Sequence, residues 1–345
     1  MSDKIQSDPR APARRKFWQK AGWRDATEIA FAADASFRRY FRLTRADGRA
    51  AIVMDAPPDK EDVGPFVEIA GILTGFGYSV PRIEAEDRTA GFLLLEDMGD
   101  LTFTRALEAG YSEGELYRLA GDVLGDLVQR DISGIRDRVP AYSDEKLLDE
   151  AMRFVDWYLR RGLGLPIGDD AREAYAEAWR SVLPSVRSVP EVLVLRDFHV
   201  DNMMVLADRQ GLAACGLLDF QDAVIGPASY DLVSLLQDCR RDVSDEVADE
   251  VRARFFGAAT EITDRDGFLR SYNVLGAQRH LKNIGGFARQ SVHLGNHSYL
   301  RFIDRMWRFT LQNFSDEALA PVREWIEKHV PENHRVTPPP GGRAA

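Results

Sequence analysis

At about Leu101 the hydrophobic pattern of this 345-residue chain changes period, and that change restricts the folds open to it. Upstream, Thr27–Ala32, Arg39–Thr44 and Arg49–Met54 are β-type runs separated by the polar turns Ala33-Asp34-Ala35-Ser36 and Ala46-Asp47-Gly48, which predicts an antiparallel meander. Between Pro57-Pro58 and Pro81, apolar Val63, Phe66, Val67, Ala70 and Leu73 recur at helical spacing, so one amphipathic helix is expected to pack on that sheet. Two more strands are expected at Arg82–Ala85 and Phe92–Leu95. Downstream, helical periodicity holds over 115–131, 144–162 and 169–184 and again from Tyr230 to Val330. An island of β-type sequence at 192–195, 203–206 and 215–218 interrupts it.

The fold class expected is α+β in two lobes. A small antiparallel β-sheet N-terminal lobe spans 1–98 and closes at Glu96-Asp97-Met98-Gly99-Asp100; a large, mainly helical C-terminal lobe spans 99–345 and embeds a β-hairpin. Residues 1–12 and 336–345 are expected to be disordered, the second on its Pro and Gly content.

Composition removes several functions. With 45 Lys+Arg against 55 Asp+Glu, the net charge of −10 argues against a protein that grips nucleic acid through a basic face. The length excludes a peptide hormone or a single small binding module. No stretch approaches the roughly 20 apolar residues of a membrane span, and the first residues are basic and polar without the apolar core of a secretory signal. Cys215 and Cys239 have no His or Cys at metal spacing, so they read as buried thiols in a reducing cytosol. The expectation is a cytoplasmic monomer acting on a small molecule, with no nucleic-acid or membrane partner.

The stretch Leu195-Arg196-Asp197-Phe198-His199-Val200-Asp201-Asn202 follows one apolar strand and precedes another. An Asp and an Asn five apart let a carboxylate face an acceptor hydroxyl while the amide oxygen, held by the same loop, coordinates magnesium. The spacing alone is weak, since chance supplies on the order of one such match in a chain this long. Asp219 strengthens it, because it ends the apolar run Gly216-Leu217-Leu218 and precedes Phe220-Gln221-Asp222. A carboxylate there can bridge Mg²⁺ to nucleotide phosphates. The competing use of Asp197, Asn202 and Asp219 is turn capping. Asp231 opens an apolar helix, where an N-cap role is expected, with bracing of the loop as a second role.

On these residues the chain resembles the aminoglycoside phosphotransferase and choline kinase superfamily, small-molecule kinases with a protein-kinase-like fold, from about residue 25 to 310. Asp197, His199 and Asn202 match that family's His-Gly-Asp-x-His-x-x-Asn loop. Asp219, Phe220, Gln221, Ala223, Gly226, Asp231 and Leu232 match its Ile-Asp-Trp/Phe-Glu/Gln-x-Ala-x-x-Gly-x-x-x-x-Asp-Leu segment. Asp34 to Arg42, Val53 to Pro58, Leu218 to Ala223 and Gln278 to Lys282 are similar to bacterial anomeric kinases of cell-wall amino sugars. Those enzymes phosphorylate the C1 hydroxyl of N-acetylmuramate and N-acetylglucosamine in peptidoglycan recycling.

The resemblance implies ATP and Mg²⁺ as cofactors and an amino sugar as acceptor. It implies Asp197 as the group that orients the acceptor hydroxyl and takes its proton, and Asn202 and Asp219 as metal ligands. Ser36, Phe37, Arg38 and Arg42 would cover the phosphates, Glu96 and Met98 would carry adenine, and His199, Gln221, Arg279 and Asn283 would reach the acceptor. Two positions depart from the family. Leu195 replaces the leading His of the loop, and Met54 replaces the strand-three lysine that neutralises phosphate. One of Arg38, Arg39 and Arg42 is expected to substitute for that lysine. The competing readings are a solvated strand edge for the arginines, a hydrogen-bonded structural role for His199, and a polar helix face for Arg279 and Asn283. Trp157 and Tyr158 read as core rather than sugar-stacking groups. A kinase of aminoglycoside or choline-like acceptors, or a nucleotide-binding pseudokinase, stands as the alternative.

Overall fold

The computed structural model describes residues 8–31 and 37–343. In chain order it begins α1 (Ala11–Lys20), β1 (Thr27–Ala30), β2 (Arg39–Thr44), β3 (Ala50–Asp55), α2 (Gly64–Gly75), β4 (Ile83–Asp87) and β5 (Phe92–Glu96). It continues α3 (Phe103–Glu108), α4 (Glu113–Val128), α5 (Asp144–Arg153), a π-helix (Phe154–Gly162), α6 (Asp169–Val182), β6 (Glu191–Val194), β7 (Met203–Val205), β8 (Cys215–Leu217) and β9 (Val224–Pro227). Helices α7 (Ser229–Leu236), α8 (Asp245–Ala258), α9 (Arg265–Leu294), α10 (Ile303–Asn313) and α11 (Ala320–His329) complete it. Contacts divide the chain into two compact units, one of residues 1–105 with 202–222, the other of 106–201 with 223–345. Among the described residues no helix is long and apolar enough to cross a membrane.

The first unit is built on an antiparallel sheet of order β1-β2-β3-β5-β4. Alternation sorts its side chains. Phe41 pairs with Val53 and Leu43 with Ala51, and these four join Trp18, Trp23 and Leu94 in one core under α1. The intervening residues Tyr40, Arg42, Ile52 and Met54 face the other way, with Tyr40 opposite Met54 and Arg42 opposite Ile52. The β7–β8 hairpin belongs to this unit: Leu217 N–H donates to Ser79 O at 2.8 Å and Val205 N–H to Leu101 O at 2.9 Å. Gly216 makes that packing possible, since a Cβ there would lie 2.9 Å from Met204 and 3.3 Å from Met98 Sδ.

The second unit is mainly helical, around the 30-residue α9. Asp264 caps its start by accepting Gly267 N–H at 2.9 Å, and Gly295, at φ +69°, ends it in the left-handed conformation that suits glycine. Strand β6 pairs with β9 rather than with β7. The run read as one helix over 144–162 is α5 continued by the π-helix. Gly285 of α9 lies against this junction so closely that a Cβ would stand 2.3 Å from the Arg153 carbonyl carbon and 2.5 Å from Phe154 N. Only glycine permits that backbone approach.

The described parts of both ends carry specific contacts, unlike the disorder expected of them. Arg10 donates to Asp55 and to Ala90 O, each at 2.6 Å. Tyr158 O–H donates to Val336 O at 2.7 Å, and Gly341 N–H to Ser291 Oγ at 3.1 Å. The basic head finds a buried acid and the Pro-rich tail finds buried polar groups, neither of which is visible in local composition. Both cysteines are buried and free.

Candidate active site

The loop after β6 is tied down from three helices of the second unit. Asp231 of α7 accepts the backbone N–H groups of Leu195 at 2.6 Å and Arg196 at 2.9 Å. Leu195 is thus braced through its main chain. Asp231 is the third residue of α7, not the N-cap. Burial pushes its carboxyl up to about 7 against the pull of those two amides and Arg279. Glu150 of α5 pairs with the Arg196 guanidinium. From α9, Arg279 donates to Ser234 Oγ at 2.7 Å, and Ser234 Oγ donates to Arg196 O at 3.2 Å.

Arg196 itself adopts φ +70°. Left-handed backbone at a non-glycine residue costs about 1–2 kcal/mol and survives only where the surroundings over-determine it. Asp197 follows, open to solvent but densely surrounded. Burial counts against its charge, yet Lys282 first, and Arg279 and Arg196 behind it, hold its carboxyl below the usual range. His199 is buried; that burial, with Arg240 adding to it, lowers it to about 4, so the imidazole is neutral at ordinary pH.

In the first unit the β7–β8 hairpin places Asn202 and Asp219 together. Met203 pairs with Leu217, and Leu218 N–H donates to Asn202 O at 2.9 Å. Asp219 has φ +57°; it and Arg196 are the two non-glycine residues with positive φ among those described. Gln221 Nε2 donates to Asp219 Oδ1 at 2.9 Å and to Asp222 at 3.3 Å. Phe66 of α2 packs on Phe220 with ring centroids 4.9 Å apart, steadying the segment. No group of three or more His, Cys, Asp or Glu gathers at metal distance among the described residues. An amide oxygen and one carboxylate suit Mg²⁺, which keeps waters and shares phosphate ligands, better than an ion needing a full protein cage.

Met54 is fully buried. Alternation separates the three arginines near it. Arg39 points to the α1 face and pairs with Asp55 at 2.6 Å and Asp8 at 3.0 Å. Arg42 is engaged by Asp97 at 2.6 Å and Asp100 at 2.8 Å. Arg38 pairs with Glu61 at 3.6 Å. Beside it the Tyr40 phenol, pushed up to about 12 by burial, feels the charges of Arg38, Asp219 and Glu61. Phe37 is exposed, and Ser36 lies outside the described residues. Glu96 N–H donates to Arg82 O at 2.8 Å, its carboxylate pairs with Arg209, and Met98 covers Gly216.

On α9, Arg279 is buried against Ser234, while Asn283, one turn on, lines a cavity of about 260 Å³ with Lys282 and Arg289. Tyr158 is buried in the core, as expected, and Trp157 lines a neighbouring hollow. Glu150 was not among the expected site residues. It accepts from Tyr142 O–H at 2.7 Å and pairs with Lys282 Nζ at 3.2 Å, thereby linking α9 to Arg196. Its signal in the sequence is an acid between Leu147 and Ala151 on the buried stripe of α5.

The chain is 37% identical over 296 residues to an N-acetylmuramate/N-acetylglucosamine kinase of Pseudomonas aeruginosa, covering 84% of this chain and 85% of the relative. It is 33% identical over 368 residues to a kinase of the same name from Caulobacter vibrioides, covering 95% and 99%. A Plasmodium vivax ethanolamine kinase superposes with TM-score 0.59 at 11% identity, over 86% of this chain and 83% of that one. The ADP-bound aminoglycoside phosphotransferase APH(2'')-Ib does so with TM-score 0.54 at 15% identity, over 84% and 94%. These two likenesses speak for a protein-kinase-like fold. The residues from 27 to 268 match the phosphotransferase enzyme family, a span that takes in the sheet, the Asp197 loop and the hairpin, and the chain accordingly belongs to that family.

Proposed function

We propose that this phosphotransferase moves the γ-phosphoryl group of ATP to the C1 hydroxyl of N-acetylmuramate and N-acetylglucosamine, in the cytoplasm and in the course of peptidoglycan recycling. The observation that carries the reading is Asp197, an ionised carboxylate on a strained, triply braced loop with Lys282 as its main cation. Asp197 orients the acceptor hydroxyl and takes its proton as the bond to phosphorus forms. An anomeric hydroxyl is more acidic than an ordinary alcohol, so a carboxylate of low pKa suffices. Asn202 and Asp219 would hold Mg²⁺, which when bound supplies charge neutralisation on the phosphates.

Arg38 is the cation that takes over from the missing lysine. Arg39 and Arg42 are held by paired acids on other parts of the sheet, whereas Arg38, oriented by Glu61, lies beside Tyr40, whose phenol also feels the charge of Asp219. The exposed Phe37 ring covers the phosphates with it, and Glu96 and Met98 border adenine. Gln221 holds Asp219, His199 packs under the loop as a neutral group, and Arg279 braces the loop through Ser234. The acceptor side of α9 carries Lys282, Asn283 and Arg289. Those cations disfavour choline-like and aminoglycoside acceptors, which need carboxylates or an aromatic cage.

The test is ATP consumption against N-acetylmuramate, N-acetylglucosamine, choline and kanamycin. Turnover is expected with the two amino sugars and not with the cationic acceptors. Asp197→Asn is expected to abolish it while leaving Mg·ATP affinity nearly unchanged, and Asp219→Ala to weaken Mg·ATP binding in calorimetry. Sugar turnover retained by Asp197→Asn would overturn the assignment.

A further inference from the structure

We infer that Arg153 and Arg289 form the subsite for the acceptor's carboxylate, and that this pair sets the preference for N-acetylmuramate over N-acetylglucosamine. The inference rests on the amino-sugar reading above. The two acceptors differ by a lactyl ether that ends in a carboxylate, so a site that tells them apart must present cations without anionic partners of their own.

The cavity beside α9 meets that requirement. It holds about 260 Å³ and is lined by Arg153, Lys282, Asn283, Phe287, Arg289 and Tyr299, among others. Arg153 and Arg289 also line a second hollow of about 440 Å³ with Asp149, Asp156, Arg172 and Trp157, so both residues border both spaces. Neighbouring cations are already engaged: Lys282 pairs with Glu150 at 3.2 Å, and Arg172 with Asp156 at 2.8 Å. Among the described residues, neither Arg153 nor Arg289 has an ion-pair partner within 4.0 Å. Arg289 lies over the Trp157 ring, 5.6 Å from its centroid, which supports the guanidinium face and leaves its N–H edges for an anion.

The backbone places the pair deliberately. Arg153 is the last residue before the π-helix, and Gly285 lets α9 approach that residue's main chain directly, on the turn that precedes Arg289. Short π-helical segments recur at functional sites. Lys282 joins this cavity to the chemistry, since it lines the cavity and is the foremost cation acting on Asp197. Phe287 and Tyr299 stack at 5.4 Å and offer an apolar wall to a sugar ring.

The experiment is steady-state kinetics of the full chain with both sugars, for the wild type and for Arg153→Gln and Arg289→Gln. Charge-assisted pairing of guanidinium with carboxylate is lost in each, so the ratio of kcat/KM for N-acetylmuramate to that for N-acetylglucosamine should fall roughly 30–100-fold, chiefly through KM. A ratio that stays put in both variants overturns the inference, whether the two activities fall together or not at all. A wild type that phosphorylates N-acetylglucosamine alone also overturns it while sparing the wider reading; one that phosphorylates neither sugar overturns both. Gly286→Leu gives an independent check. Gly286 lines the cavity, and a Cβ there meets nothing within 4 Å, so the helix can accept a side chain that fills the space. Turnover of both sugars should collapse with melting temperature and Mg·ATP affinity kept, and full activity in this variant would remove the cavity from the acceptor site.

Discussion

Asp231 accepts the backbone N–H of Arg196 at 2.9 Å, one residue before Asp197. The carboxylate is buried in α7 and also takes Leu195 N–H, so a single side chain fixes the two peptide units that aim Asp197. In Asp231→Ala both amides lose a buried acceptor, at about 1–3 kcal/mol each. A base displaced by an ångström costs turnover of order 100-fold. The expected result is a drop in kcat of that size with Mg·ATP affinity unchanged, and partial rescue by Asp231→Asn, whose amide oxygen still accepts. If the variant is merely less stable, with normal kcat once folded, Asp231 does not position the loop.

Asp197, Asn202 and Asp219 stand out in the sequence because the chemistry proposed for them needs fixed spacing within one strand–loop–strand segment. The partners that hold them are not. Glu150, Asp231 and Arg279 meet Arg196 from three helices widely separated in the chain, and no local pattern encodes that meeting. Arg279 reads as a polar helix face because polar residues normally mark one, yet α9 is buried on most sides and its Gln278, Arg279 and His280 are all interior. Strand β9 carries no clear sequence signal, because Val-Ile-Gly-Pro is short and ends in residues that ordinarily close strands. The strands upstream of Leu101 were clear, since alternation over six residues is a strong signal of a half-buried sheet.

Arg38 and Arg42 should separate kinetically. Removing a preorganised cation from a transferring phosphoryl group costs about 3–4 kcal/mol, or roughly 100–1,000-fold in turnover, by analogy with deleted oxyanion donors. Arg38→Gln is expected to show that loss at saturating ATP and sugar. Arg42→Gln should stay within a few-fold, because its charge is spent on Asp97 and Asp100. Met54→Lys should not restore Arg38→Gln, since the Met54 site is fully buried between Tyr40 and Leu93. Rescue by that lysine, or equal losses for both arginines, would show that the phosphate cation lies elsewhere.

Asp55 holds the head of the chain to the sheet. It is fully buried and pairs with Arg10 at 2.6 Å, Arg14 at 2.9 Å and Arg39 at 2.6 Å, while Arg14 is itself 2% exposed and lies over Phe41. Arg14 keeps Asp8 and Glu28, and Arg39 keeps Asp8, so losing the buried acid costs what charge-assisted hydrogen bonds contribute, about 1.5–3 kcal/mol. Asp55→Ala should therefore lower the urea midpoint sharply, with the fluorescence of Trp18 and Trp23 reporting the release of α1. A midpoint within error of the wild type would mean that solvent reaches the arginines freely and that the cluster is not a structural anchor.

His280 is fully buried, stacked on Phe309 at 5.5 Å, and lowered to about 3 by burial and by Arg279 next to it. In the unfolded chain the same imidazole titrates near 6.5. Its folded pKa is depressed, so below about 6.5 the unfolded state takes up a proton that the folded state refuses. The stability held by the neutral ring is complete above that value and is lost progressively as pH falls toward about 3. At about pH 5 the loss from this one group amounts to about 2 kcal/mol relative to pH 7. His199, lowered to about 4, adds a loss of the same sign, and Asp231, raised to about 7, opposes it. Both remain in a His280→Gln chain and cancel in a comparison. The wild-type stability advantage over His280→Gln, from urea unfolding at the two pH values, should therefore shrink by about 2 kcal/mol on going from pH 7 to pH 5. Parallel stability curves for the two chains would mean that the buried imidazole protonates in the folded protein as readily as in the unfolded one.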